Sequence, residues 1–109
     1  MVFARGDVVL VLFPFRDRAP AKVRPAIVIS AGPHNRTGDL IVAAITTHSP
    51  RSALDYPIAG WKQARLVAPS TVRIQLATVA ASRVLYRPGR IPSTDLRAVD
   101  TRLRQALGL

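Results

Sequence analysis

The 109-residue sequence contains no cysteine and no glutamate. Without cysteine there is no disulfide, no thiolate metal site and no cysteine nucleophile. Without glutamate the acidity rests on six aspartates, set against sixteen basic residues, and the net charge is +10. Lysine is also scarce: arginine outnumbers it fourteen to two, which favours planar forks for phosphate over generic solubilising charge. Such an imbalance points to a polyanionic partner, either a nucleic acid or an acidic protein. No apolar run approaches the ~20 residues of a membrane-spanning helix, so no membrane association is expected. The opening M-V-F-A-R-G-D turns polar too soon for a secretory leader, which places the chain in the cytoplasm. Repeats, low-complexity segments and linkers are missing too, so residues 1–109 are expected to form a single domain. Half the residues are apolar, 49%, which excludes a disordered chain.

The strongest pattern runs from Val23 to Thr47: V-R-P-A-I-V-I-S, a short loop, then L-I-V-A-A-I-T-T. β-Branched residues fit a packed, pleated surface, so both runs read as buried strands. Pro25 holds Arg24 extended and lacks an N–H, as suits a strand start. Arg24 thus begins one strand and Thr46 ends the next, and a guanidinium beside a hydroxyl on a rigid sheet can grip a phosphate. Ala43 and Ala44 suggest the close approach of something bulky, a neighbouring sheet or a second subunit.

Upstream, Arg5-Gly6-Asp7 reads as a turn before V-V-L-V-L-F-P-F, a strand covered on both faces that Pro14 ends or places at an edge. The polar segment Arg16 to Lys22 reads as an exposed loop, and Arg16, Arg18, Lys22 and Arg24 concentrate charge there. Ala31 to Asp39 reads as a loop with His34 on its surface, and His48 to Ser52 as another. Asp55 to Ile58 suggests a short edge strand, and Trp61 a core or dimer anchor. From Arg65 to Val79 the pattern predicts two short strands kinked at Pro69-Ser70. Alternation sets Thr71, Arg73 and Gln75 on one face and Val72, Ile74 and Leu76 on the other. Arg73 is read equally as a surface ion-pair partner or a phosphate contact. A turn near residues 81–86 and a short extended piece over Arg87 to Ile91 follow.

The C-terminus predicts a helix. Ser93 or Thr94 is its expected cap, Asp95 its dipole partner, and Gly108 its stop. Leu96, Val99, Leu103 and Leu107 form an apolar stripe, with Arg97, Arg102 and Arg104 on a solvated face. Short strands plus one terminal helix indicate a mainly β fold, a small, strongly bent antiparallel sheet.

The order of these motifs resembles the MazF/PemK (Kid-like) toxins of bacterial toxin–antitoxin systems. R-G-D-V-V-L-V at Arg5 to Val11, V-R-P-A-I-V-I-S at Val23 to Ser30, A-A-I-T-T at Ala43 to Thr47, P-S-T-V-R-I at Pro69 to Ile74 and the helix ending L-G-L carry the likeness over essentially the whole chain. The resemblance implies an SH3-like (CcdB/MazF-type) barrel, a homodimer and an endoribonuclease that cuts single-stranded RNA at a short sequence. It also implies no cofactor, and an antitoxin whose acidic, flexible tail fills the RNA groove. By it, Arg24 and Thr46 are the catalytic candidates, and Arg16, Arg18, Lys22, Thr47, His48, Arg51, Arg73 and Gln75 are candidates for RNA contact.

The chemistry fits those residue types. RNA carries its own nucleophile, the 2′-OH. An enzyme must align it with phosphorus, take up a proton and stabilise the charge that grows on phosphate. Some relatives place an arginine and an aspartate two apart in the later strand, the aspartate serving as base; here Arg73 is followed at that spacing by Gln75, which takes no proton. His48 has a suitable unperturbed pKa, ~6.5, but the resemblance does not assign it, and the base stays open. Two other functions are compatible with this composition. One is a non-catalytic gyrase poison of the same fold, as CcdB is, although the final Leu107-Gly108-Leu109 lacks that relative's anchoring aromatic. The other is a basic RNA- or DNA-binding barrel without chemistry.

Overall fold

A computed structural model describes residues 2–14 and 22–109. Strands β1 (Asp7–Phe13), β2 (Lys22–Val28) and β3 (Asp39–Thr46) are followed by β4 (Tyr56–Pro57), β5 (Thr71–Ala80) and β6 (Tyr86–Arg90). Helices α1 (Gly32–Asn35) and α2 (Ser93–Leu107) complete the elements, with a 3-10 turn at Ala81–Arg83. The six strands form one sheet in the order β4-β5-β3-β2-β1-β6, and every pairing is antiparallel.

Side chains alternate along a strand, and both faces of the central strands are buried. Val8, Ile27, Ala43 and Ile45 pack under α2 with Val99 and Leu103. Their sequence neighbours Val9, Val11, Ala26, Val28, Val42 and Ala44 build a second core with Phe3 and Phe13. This explains the near-continuous apolar runs of β1 to β3. Ala43 and Ala44, at 0% and 2% exposure, are spent inside the fold, so they do not mark a subunit contact. The outward apolar surface instead includes Leu12 and Val23, paired across β1 and β2, together with Leu85 and Tyr86.

The loop beyond β4 reaches across to the opposite edge strand, β6. A Cβ on Gly89 of β6 would lie 2.7 Å from the carbonyl oxygen of Ala64, in the loop beyond β4; only glycine permits that approach. Asp95 locks the same loop to α2. Its carboxylate is 1% exposed and accepts the Tyr56 hydroxyl, the Ala59 amide at 3.0 Å and the Gly60 amide at 2.9 Å.

Several sequence expectations need correcting. Residues 64–68 form turns, not a strand; Arg65 has φ 62, which no strand accommodates. A short helical turn, α1, interrupts the expected loop at Ala31 to Asp39. The α2 N-cap is Pro92 with no side-chain cap bond, so neither Ser93 nor Thr94 fills that role, whereas Asp95 does stand in the first turn as expected. Leu107 is 54% exposed, and the apolar stripe ends at Leu103. Arg102 is not on a solvated face, since its guanidinium lies 4.8 Å from the centre of the Tyr56 ring and its Nε is shut from solvent. Trp61 packs half-buried against the core under α2. Gly108, with φ 73, ends the helix as expected.

Candidate functional site

The ladder between β2 and β3 pairs Val28 with Val42, Ile27 with Ala43 and Ala26 with Ala44, and goes no further. It stops next to Pro25, which has no N–H to continue it. Carried two residues on, the same register sets Arg24 opposite Thr46, at the point where the two strands part. Parity places both on the face of Ala26, Val28, Val42 and Ala44, away from α2. On its other side Arg24 is held by pairing with Val11 of β1, and Thr46 by pairing with Thr71 of β5. Both side chains are half-buried. The Arg24 guanidinium donates from Nη1 to the carbonyl of Val23 at 2.9 Å, its one side-chain hydrogen bond among the described residues.

Beyond Thr46 the chain turns back on itself. Thr46 Oγ1 lies 3.0 Å from His48 Nδ1 and accepts the His48 amide N–H at 3.2 Å. Thr47, His48 and Lys22 are exposed. The structure therefore brings Arg24, Thr46 and His48 to one end of the β2–β3 pair. Arg16 and Arg18 lie outside the described residues.

Arg73 is placed differently. Its side chain is 12% exposed, with Nε 3.9 Å from Asp55 Oδ2, and its Nε and Nη2 have no hydrogen-bond partner among the described residues. With Arg51, Ser52, Asp55, Gln75 and Ala106 it lines a cavity of about 530 Å³. Asp55 Oδ2 also accepts the Arg51 amide at 2.9 Å. Simple alternation does not hold here. Between Ala43 and Ile45 of β3, β5 advances from Leu76 to Val72, so two extra residues are accommodated around Arg73 to Gln75. Thr71 and Val72 are consequently both buried, while Leu76 is 37% exposed.

The aspartates explain where positive charge survives. Asp7 takes Arg87 and Arg90, Asp100 takes Arg5, and Asp55 faces Arg73. The hydrogen bond and charge of Asp100 hold the Arg5 guanidinium above its ordinary pKa. Asp95 is enclosed by its three donors. Four of the six acids are thus committed to structural ties, and among the described residues Lys22 and Arg24 contribute positive charge at the strand split. Asp55 is the residue that sequence reasoning passed over. Its only signal was its place in the edge strand, one position before Tyr56. Among the described residues no group of three or more His, Asp or Glu side chains is arranged to hold a metal ion.

Comparison with known proteins adds a lineage. A family model described as "PemK-like, MazF-like toxin of type II toxin-antitoxin system" matches residues 4–107. Curated relatives include Endoribonuclease MazF2 of Mycobacterium bovis and Endoribonuclease MazF6 of Mycobacterium tuberculosis. Each is 30% identical over 114 residues, covering 100% of both chains. Among solved structures, an endoribonuclease in complex with its cognate antitoxin from Mycobacterial species superposes with a TM-score of 0.81 at 17% identity, covering 99% of this chain and 97% of that one. A MazE-MazF structure from Deinococcus radiodurans superposes with a TM-score of 0.79 at 20% identity, covering 100% and 99%.

Proposed function

From the premise that this chain belongs to the PemK-like, MazF-like toxin family of type II toxin–antitoxin systems, we propose that it is an endoribonuclease that cuts single-stranded RNA in the cytoplasm and is held in check by an acidic antitoxin. The observation that supports this reading is the β2–β3 ladder, which ends at the Ala26–Ala44 pair, two residues short of Arg24 and Thr46.

The reaction needs no group beyond the chain and its substrate. The ribose 2′-oxygen attacks the adjacent phosphorus, the 5′-oxygen leaves, and the products are a 2′,3′-cyclic phosphate and a 5′-OH. Arg24 is assigned to the negative charge that builds on the non-bridging oxygens, which a planar guanidinium meets with two parallel donors. Thr46 is assigned a hydrogen bond to the scissile phosphate or the 2′-OH. Lys22, Thr47 and His48 are assigned RNA contacts at the strand end, and Arg51, Arg73 and Gln75 are assigned RNA contacts at the cavity they line. An acidic antitoxin segment would answer the same field, and a second copy of the chain would cover the apolar Leu12–Val23 pair and Tyr86.

The test is incubation of purified protein with a defined RNA in EDTA, followed by primer extension and end analysis. Discrete cuts with 5′-OH ends are expected, and Arg24→Ala should abolish them while leaving the circular dichroism spectrum unchanged. Full cleavage by that variant would remove Arg24 from the mechanism, and RNA retention without new ends would identify a binding protein instead.

A further inference from the structure

Resting on the endoribonuclease reading, the geometry points to a base for the reaction. We propose that Thr46 and His48 form a two-member proton relay that deprotonates the 2′-OH, with His48 Nδ1 as the terminal acceptor.

The hydrogen bonds at Thr46 Oγ1 define what each lone pair does. The His48 amide N–H, at 3.2 Å, occupies one. With the imidazole proton on Nε2, Nδ1 is an acceptor 3.0 Å away and takes the hydroxyl hydrogen. One lone pair on Oγ1 remains, free to receive a proton from a ribose hydroxyl lying between Thr46 and Arg24. As O2′ bonds to phosphorus, its proton passes to Thr46 Oγ1 and the Oγ1 proton passes to His48 Nδ1. The P–O5′ bond breaks with its electron pair on O5′, which takes a proton from water. The imidazolium then returns its proton to the hydroxide left behind, and Thr46 ends unchanged.

Other groups near the site do not fit the role. Arginine stays protonated throughout the accessible pH range and cannot serve as a base. Gln75 takes no proton, and Asp55 is engaged by the Arg51 amide and faces Arg73. His34 sits on α1, away from the strand end. His48 carries an imidazole nitrogen able to accept a proton, is exposed, and is tied to the catalytic hydroxyl by both its ring and its backbone.

The experiment uses the full chain and an oligonucleotide carrying one ribonucleotide at a cleavage site mapped with the wild type, under single-turnover conditions. His48→Ala should slow cleavage by about 10²-fold or more, the usual size of a general-base effect. The rate is read at saturating protein, so that any lost RNA contact, seen as weaker affinity for the all-deoxy analogue, is separated from the lost proton transfer. Free imidazole should restore part of the rate to His48→Ala and none to Thr46→Val, which lacks the relaying hydroxyl. His48→Asn separates proton transfer from positioning, since its amide oxygen can accept from Thr46 but cannot hold the proton; it should be as slow as the alanine variant. Wild-type rates in His48→Ala or His48→Asn, or a lack of imidazole rescue, would overturn the relay while the nuclease reading stands. Failure of the wild type to cut any RNA would overturn both.

Discussion

Arg24 is an ordinary residue until Pro25 is counted with it. Proline fixes the backbone and ends the ladder to β3, so the guanidinium sits at a gap between strands rather than in a closed sheet. Arg24→Lys keeps the charge but loses the two-pronged fork, and its cleavage rate is expected to fall about tenfold or more, measured against the same mapped RNA site. Tyr56 gives a prediction about pH. Burial, followed by the hydrogen bond and charge of Asp95, pushes its phenol up to about 12 from 10.0. A group that holds its proton more tightly when folded adds stability that is complete below its unfolded pKa and is lost as pH rises through the folded one. Urea midpoints should therefore decline between pH 10 and 12 in the wild type, and Tyr56→Phe should flatten that decline.

Residue roles were legible where the backbone itself constrained them, as at Arg24 and Gly108. They were hidden where the partner came from far along the chain. Asp95 looks like a helix-dipole residue because it stands in the first turn, yet its donors are Tyr56, Ala59 and Gly60, 35 to 39 positions away. Arg102 looks solvated on a helical wheel, and the Tyr56 ring that covers it is invisible there.

Among the elements, β1, β2, β3 and α2 could be read from pattern because each buries a periodic apolar set. Residues 64–68 could not. Leu66 and Val67 resemble a strand fragment, but the left-handed backbone at Arg65 and the approach of Gly89 to Ala64 impose a turn, and Val67 is 97% exposed. In β5 the accommodation of two extra residues around Arg73 defeated an alternation that is sound in a regular strand. Helix α2 is held mainly by Val99 and Leu103, at 0% and 8% exposure. Leu103→Ala should cost about 2–5 kcal/mol in urea unfolding, whereas Leu107→Ala, more than half exposed, should cost well under 1 kcal/mol, about what surface changes do. Gly60→Ala should also destabilise, because its Cβ would lie 2.4 Å from Pro92 Cγ. Loss of the Asp95 clamp between the β4 loop and α2 would follow.

For the molecule as a whole, composition points to a polyanionic partner, and four of the six acids, Asp7, Asp55, Asp95 and Asp100, are engaged within the fold. RNA affinity should then fall with salt, log K against log salt sloping by roughly −0.7 for each phosphate neutralised. A flat response in filter binding would contradict a groove built on Lys22, Arg24 and Arg51. Self-association was anticipated from Ala43 and Ala44 for a reason the fold does not support, because both are interior. The exposed Leu12, Val23 and Tyr86 supply a better one, and sedimentation at micromolar concentration should show a dimer that Leu12→Lys weakens.

The sheet's two margins are poor templates for further strands. One is β4, two residues long and containing Pro57; the other, β6, contains Pro88 and is met by the Ala64 carbonyl. Beyond Val72, however, β5 from Arg73 to Ala80 has no strand ladder on its outer side among the described residues, so its backbone is the template an incoming chain could pair with. Strand addition by another polypeptide is therefore disfavoured at β4 and β6, where proline interrupts the backbone donors, and directed instead to the length of β5 that β4 leaves uncovered.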